Sequence, residues 1–173
     1  MHINQITTAH KVGTFTLNTK GNKARLRVQW EDVDNLRDNA GRVYILVSNG
    51  IVKKIGGSVS KGGIKSTMSF YESGNCGRPS IRSFGINTLI FDEIVIHNHV
   101  VEIYMINSQM VQAPVTGLFG SSLMDISAFK EMEEKCVSDY VACEGNYPEW
   151  NYQEQGKAWE QHIQEQHAAI LSK

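Results

Sequence analysis

The chain has 173 residues, 41% of them apolar and 20% charged, with a formal net charge of -1. That length supports one domain with a real core but not two full ones, and no run of about 18 apolar residues is available to span a bilayer. A near-neutral charge excludes the global electrostatic pull of a dedicated nucleic-acid binder, so any such role must rest on local patches. The three cysteines, Cys76, Cys136 and Cys143, are odd in number and lack paired metal spacing, and the N-terminus has no apolar signal core. Free thiols in a reducing cytoplasm are therefore expected.

In chain order, residues 12–30 alternate around "NTKGNK" and predict an N-terminal β-hairpin; a polar, helical "EDVDNLRDNAG" follows and stops at Gly41. Next, "VYILVSNGIVKKIGG" places two apolar runs around Asn49-Gly50 and predicts a second hairpin. Ile64, Met68 and Tyr71 fall at helical spacing between glycines. The segment "GNCGRPSIRS" reads as a loop, "SFGINTLIFDEIVIHN" as a buried helix, and "VVEIYMI" as a third strand. "QMVQAPVTGLFGSS" reads as a loop punctuated by Pro114 and two glycines. A helix is expected from about Asp125 to Val141, capped at Asp125 or Ser127, and a final amphipathic helix from about Gln155, with Trp159, Ile163, Ile170 and Leu171 on its stripe. The sum is an α+β chain: a small three-stranded antiparallel sheet flanked by helices, with an N-terminal β-hairpin extension and a C-terminal helix.

Register decides which residues of the second hairpin share a face. A two-residue Asn49-Gly50 turn sets Tyr44 across from Ile55, puts Lys54 on the opposite face and splits the apolar residues between faces. A three-residue loop, 48–50, closed by a bulge at Gly50 gathers Val43, Ile45, Val47, Ile51 and Ile55 on one face and sets Tyr44 directly across from Lys54. The second register is the expectation, with Lys53 the exception on the apolar face, either near an edge or snorkelling. An ammonium beside a phenol favours phenolate and so makes Tyr44 a candidate general base; the plain reading is a surface tyrosine packed on a lysine stem.

In "DISAFKEMEEKCVSDYVA", Glu133 has Ile126, Phe129, Cys136, Val137 and Tyr140 at offsets of three, four and seven, which places it on the core-facing stripe. A carboxylate there needs either an ion-pair partner or a cation, and Mg²⁺ commonly takes only one or two protein carboxylates.

The hairpin, the strand "VVEIYMI", the helix carrying Glu133 and "YPEWNYQ" together resemble the GIY-YIG nuclease superfamily over residues 42–153. Tyr44 and Lys54-Ile55-Gly56 match the spacing of its two strand motifs, with lysine in place of the second tyrosine, and Pro148-Glu149-Trp150-Asn151 matches its closing element. With that lysine, the chain looks most like the type II restriction endonucleases and related phage endonucleases of the superfamily. The resemblance implies a sequence-specific endonuclease acting on double-stranded DNA, most simply as a homodimer, with one Mg²⁺ or Mn²⁺ held by Glu133. It implies that Tyr44 deprotonates the attacking water, that Lys54 tunes Tyr44 or contacts the phosphate, and that Asn151 braces the site. A phage or repair endonuclease of low sequence specificity, or a non-catalytic DNA-binding module, are the alternatives.

The family's helix arginine, aligned by Ile64, Met68 and Tyr71, falls at Thr67, so another cation must serve. Lys65 on the helix and Arg78 or Arg82 in the loop after it are the candidates, with Arg82 favoured by its turn-like surroundings. The resemblance divides the chain into an extension at 1–41, a nuclease core at 42–153 and a C-terminal helix at 154–173. The cluster Lys20, Lys23, Arg25 and Arg27 in the extension is a candidate DNA contact. His97 and His99 read as capping or surface residues, since no third ligand accompanies them.

Overall fold

The computed structural model describes residues 1–20, 23–32, 34, 36–37 and 40–172. Among these residues seven strands and four α-helices follow one another as β1 (His10–Lys20), β2 (Lys23–Trp30), β3 (Arg42–Ser48), β4 (Ile51–Ser58), α1 (Gly63–Glu72), α2 (Ile81–Val95), β5 (Val101–Asn107), β6 (Met110–Gly117), β7 (Gly120–Ser127), α3 (Phe129–Glu144) and α4 (Gln161–Leu171).

The class is α+β, but the sheet has five strands in the order β2-β1-β5-β3-β4 where three were expected. The N-terminal hairpin does not stand apart. β1 pairs antiparallel with β5, from His10 opposite Met105 to Phe15 opposite Val101, and extends the sheet formed by β5, β3 and β4. Its apolar residues account for the docking: Val12, Phe15 and Leu26 join Tyr44, Leu46, Val101, Ile103 and Met105 in one core beneath α1 and α2. The opposite face carries a second core, where Val43, Ile45, Val47, Val52 and Ile55 pack against Tyr140 of α3 and Ile3. β3 has both faces covered, and all seven of its residues are buried.

Three local expectations are corrected. The helix over residues 31–41 is absent at the described positions, where Asp34, Leu36 and Arg37 lie in turns; Val33, Asn35, Asp38 and Asn39 lie outside the described residues. Residues 110–127 form a separate two-stranded hairpin, β6–β7, where a loop and the start of a helix were expected. Pro114 is tolerated because a two-stranded sheet is all edge. Helix α3 consequently begins at Phe129, with Ala128 as its cap residue and no capping side chain. The hairpin's loop, Leu118 and Phe119, is almost wholly exposed.

The outer side of β4 is lined by segments that are not strands. The Ile3 N–H donates to the Gly50 carbonyl at 2.8 Å, the Val52 N–H to the Met1 carbonyl at 3.0 Å, and the Trp150 N–H to the Lys53 carbonyl at 2.8 Å. Helix α4 closes the other flank: Ile163 is buried, Trp159 stacks on Tyr152 with ring centroids 4.2 Å apart, and the same indole fills the space above Gly85 of α2. Trp159 is thus a packing residue. Among the described residues no helix is long and apolar enough to cross a membrane.

Candidate active site

The turn between β3 and β4 is the two-residue Asn49-Gly50, whose φ angles of 46° and 82° are the left-handed values that a primed hairpin turn requires. Ser48 pairs with Ile51 and Val47 with Val52; then the register shifts, and Leu46 pairs with Lys54, Ile45 with Ile55 and Tyr44 with Gly56. The expected three-residue loop is therefore wrong. The additional residue sits in the strand, as a bulge at Lys53. Because one extra residue has the same effect on alternation wherever it is placed, Tyr44 and Lys54 still lie on one face, as diagonal neighbours rather than as a direct pair.

Tyr44 is not a surface residue. It is 1% exposed, and its hydroxyl lies 2.7 Å from the hydroxyl of Tyr71, which α1 presents from its buried stripe. Burial pushes the Tyr44 pKa well above the usual phenol value, and the neighbouring Tyr71 adds to the rise. The cation that opposes it is Arg82, whose charge favours the ionised form of both phenols. This reverses the sequence expectation, in which Lys54 lowered the pKa of an accessible phenol. Tyr71 is raised by burial too, against the pull of Arg82.

Arg82 is placed by α2, which starts at Ile81 behind the Ser80 cap; it belongs to a helix and not to a loop. Its guanidinium also donates to Gln153 Oε1 at 3.2 Å. A cation in the first turn opposes the helix macrodipole, so nothing about helix stability calls for Arg82 there. Of the other cations weighed for this role, Arg78 is exposed and Lys65 lies over the Trp30 ring, 5.5 Å from its centroid. Thr67, where the alignment put the arginine, is buried and bonded to Ser58 at 2.7 Å.

Lys54 is 3% exposed. Burial and then the Arg82 charge bring its pKa down to about 8, while Glu154 and Glu133 pull the other way. It therefore joins the tyrosine pair to the acidic side of the site. Glu133 is half-buried on α3, where the sequence placed it in the core; α3 packs chiefly on β4 and β3, and the outer part of its stripe borders a cleft. Glu133, Glu134, Val137, Ser138, Val141, Tyr147 and Glu154 line that cleft, of about 570 Å³. Gly57 permits the approach of Glu133, because a Cβ there would collide with the carboxylate and with Phe129. Asn151, fully buried, clamps β4: its Oδ1 accepts from the Ile55 N–H and its Nδ2 donates to the Ile55 carbonyl, both at 2.9 Å.

Glu133 and Glu154 offer oxygen donors alone, the chemistry preferred by a hard divalent cation that keeps most of its water. Among the described residues no group of three His, Cys, Asp or Glu closes on a point. His99 faces Glu93, with Nδ1 2.6 Å from Oε2, and takes no part in the site.

The structure thus brings Tyr44, Lys54, Arg82, Glu133 and Asn151 to one end of β4 and leaves Lys65 outside. Sequence reasoning missed Tyr71, Glu154 and Gly57. Tyr71 carried a usable signal, since a tyrosine on a buried helical stripe needs a partner for its hydroxyl; Glu154 carried none.

The architecture is that of a five-stranded antiparallel sheet with helices on both faces and a polar cluster gathered on an edge strand. No family model and no curated protein matches the chain. Solved structures do resemble it. A mutant of bacteriophage T4 EndoII has the same fold at a TM-score of 0.58 and 18% identity, over 87% of this chain and 99% of that one. The restriction endonuclease HPY188I, solved in complex with product DNA, aligns at a TM-score of 0.47 and 19% identity, over 84% of this chain and 81% of its own.

Proposed function

We propose that the protein is a DNA endonuclease of the GIY-YIG kind, dependent on Mg²⁺ or Mn²⁺, with its chemistry carried by the core at 42–153 and the adjoining Glu154. The observation that supports this most is the buried tyrosine pair, Tyr44 and Tyr71, under the charge of Arg82, with the buried Lys54 feeling both Arg82 and the carboxylates Glu133 and Glu154. The fold shared with EndoII agrees with it.

In this reading the scissile phosphate is drawn in by Arg82 and Lys54, whose desolvated cations stabilise charge building on its oxygens. Tyr44, kept as a neutral phenol by burial, orients the attacking water through its hydroxyl, and the Tyr44–Tyr71 contact holds that hydroxyl in place. Glu133, with Glu154 lining the same cleft, would hold the divalent ion, which would supply positive charge to offset that on the leaving 3′ oxygen. Asn151 keeps the Lys54 end of β4 straight. Arg25 and Arg27, exposed on β2, are backbone contacts for the duplex; the side chains of Lys20 and Lys23 lie outside the described residues. A single small site cuts one strand, so a homodimer is the working form for double-strand breaks.

The test is incubation of the purified protein with unmodified duplex DNA and Mg²⁺, Mn²⁺ or EDTA, beside Glu133→Ala. Metal-dependent fragments that vanish in the variant are expected, and discrete bands would mean restriction-type sequence specificity where a smear would mean loose preference. Intact DNA under every metal, or wild-type cutting by the variant, would overturn the proposal.

A further inference from the structure

The hairpin sequence contains two adjacent lysines, and only one of them reaches the site. If β4 continued from the Asn49-Gly50 turn without a bulge, Leu46 would face Lys53 and Tyr44 would face Ile55. Lys54 would then move among Val43, Ile45 and Val47, and the Ile55 side chain would occupy a position where even a Cβ comes within 2.5 Å of the Tyr44 phenol. The extra residue at Lys53 is what delivers Lys54 and Gly56 to the tyrosine.

The bulge is anchored on its own side. The Lys53 carbonyl accepts from the Trp150 N–H at 2.8 Å, and its ammonium lies 2.6 Å from Glu149 and 3.6 Å from Glu93. Glu93 is itself buried at the end of α2 and accepts from the Ser48 hydroxyl at 2.6 Å, with His99 on the same oxygen. Glu149 and Trp150 immediately precede Asn151, which clamps Ile55. One side chain therefore ties α2, the bulged strand and the 148–151 turn together. Replacing a partly dehydrated ion pair with apolar packing is commonly neutral for stability, so what the lysine supplies here is geometry.

We propose that Lys53 is a positioning residue of the endonuclease site: its ammonium, held between Glu93 and Glu149, locks the β4 bulge to the 148–151 turn and thereby fixes Lys54 and Asn151 relative to Tyr44. This rests on the reading of the preceding section. Lys53→Met keeps the stem and removes the charge, Lys53→Arg keeps the charge, and Glu93→Gln removes the buried counter-charge while leaving Lys53 in place. Two measurements are compared across them: cleavage kinetics on duplex DNA with Mg²⁺, and hydrogen exchange of the Ile55 and Trp150 amides, whose acceptors are Asn151 and Lys53. Lys53→Met lowers kcat about 10²-fold, the scale of an ångström of misplacement, with KM nearly unchanged, and both amides exchange faster. Lys53→Arg restores both, and Glu93→Gln repeats the Met pattern. Wild-type kcat and exchange in Lys53→Met, or a loss that Lys53→Arg does not repair, would overturn the proposal. A wild-type protein inert on DNA would refute the endonuclease reading instead, and unchanged amide exchange in Lys53→Met would then still overturn the positioning role.

Discussion

Gly56 stands across from Tyr44 in the β3–β4 pair. A Cβ built on it lies 2.5 Å from both Cζ and Oη of Tyr44, roughly an ångström inside the usual ~3.5 Å contact of heavy atoms. The ring has no room to retreat, being 1% exposed with its hydroxyl 2.7 Å from that of Tyr71. The Gly56 backbone is not left-handed, so strain at φ contributes nothing. Gly56→Ala is therefore an overpacking change, expected to cost about 1–3 kcal/mol, or about 2–12 °C in melting temperature for a chain of this size. The assay is urea unfolding of the wild type, Gly56→Ala, Tyr44→Ala and the double variant. With the ring removed the added methyl enters vacated space, so Gly56→Ala should cost little in the Tyr44→Ala background. An equal cost in both backgrounds would refute the collision, and with it the assignment of Gly56 as the residue that makes room for Tyr44.

Asn151→Leu leaves the buried Ile55 N–H and carbonyl unpaired, at about 1–3 kcal/mol for each group, and chemical denaturation showing a loss under 1 kcal/mol would contradict the clamp. Lys54 is held near 8 in the folded protein against 10.5 unfolded, so above pH 8 the unfolded chain binds more protons and stability should rise with pH until tyrosines ionise near ~10. Lys54→Met should lose that rise, and a wild-type curve flat or falling between pH 8 and 9.5 would count against the buried ammonium. Arg82 is the cation opposing burial at both phenols, so Arg82→Met should move the titration of Tyr44 and Tyr71 further up by ultraviolet absorbance; unchanged titration would remove Arg82 from the pair. Glu133→Gln should abolish the thermal stabilisation conferred by Mn²⁺, and full stabilisation of the variant would place the ion elsewhere.

The sequence already located the helix that presents Tyr71, the body of the helix after it, the hairpin and the central strand β5, because each is a local pattern of apolar spacing; it left Arg82 in the loop, just short of the helix that carries it. What it missed is non-local. The pairing of β1 with β5 joins segments about ninety residues apart, and no period in either one names its partner. The same holds for the bulge: alternation showed that an extra residue was needed to gather the apolar side chains, but whether it sits in the turn or the strand is decided by Glu93, Glu149 and Trp150, all remote in sequence. Tyr44 and Lys54 were paired on the correct face because either placement preserves the alternation. Their electrostatics were read backwards, since burial is a property of the assembled layers and the decisive cation comes from α2.

The outer side of β4 has a consequence for the whole molecule. An edge strand with free donors and acceptors is a template on which another chain can add. Here residues 1–3 occupy the half of β4 next to the turn, while Trp150 and Asn151 occupy the half next to the site. Two segments far apart in the sequence thus act as seals on one seam. Removing residues 1–3, or unseating the 148–151 turn, would open a sticky margin along β4 beside the tyrosine pair.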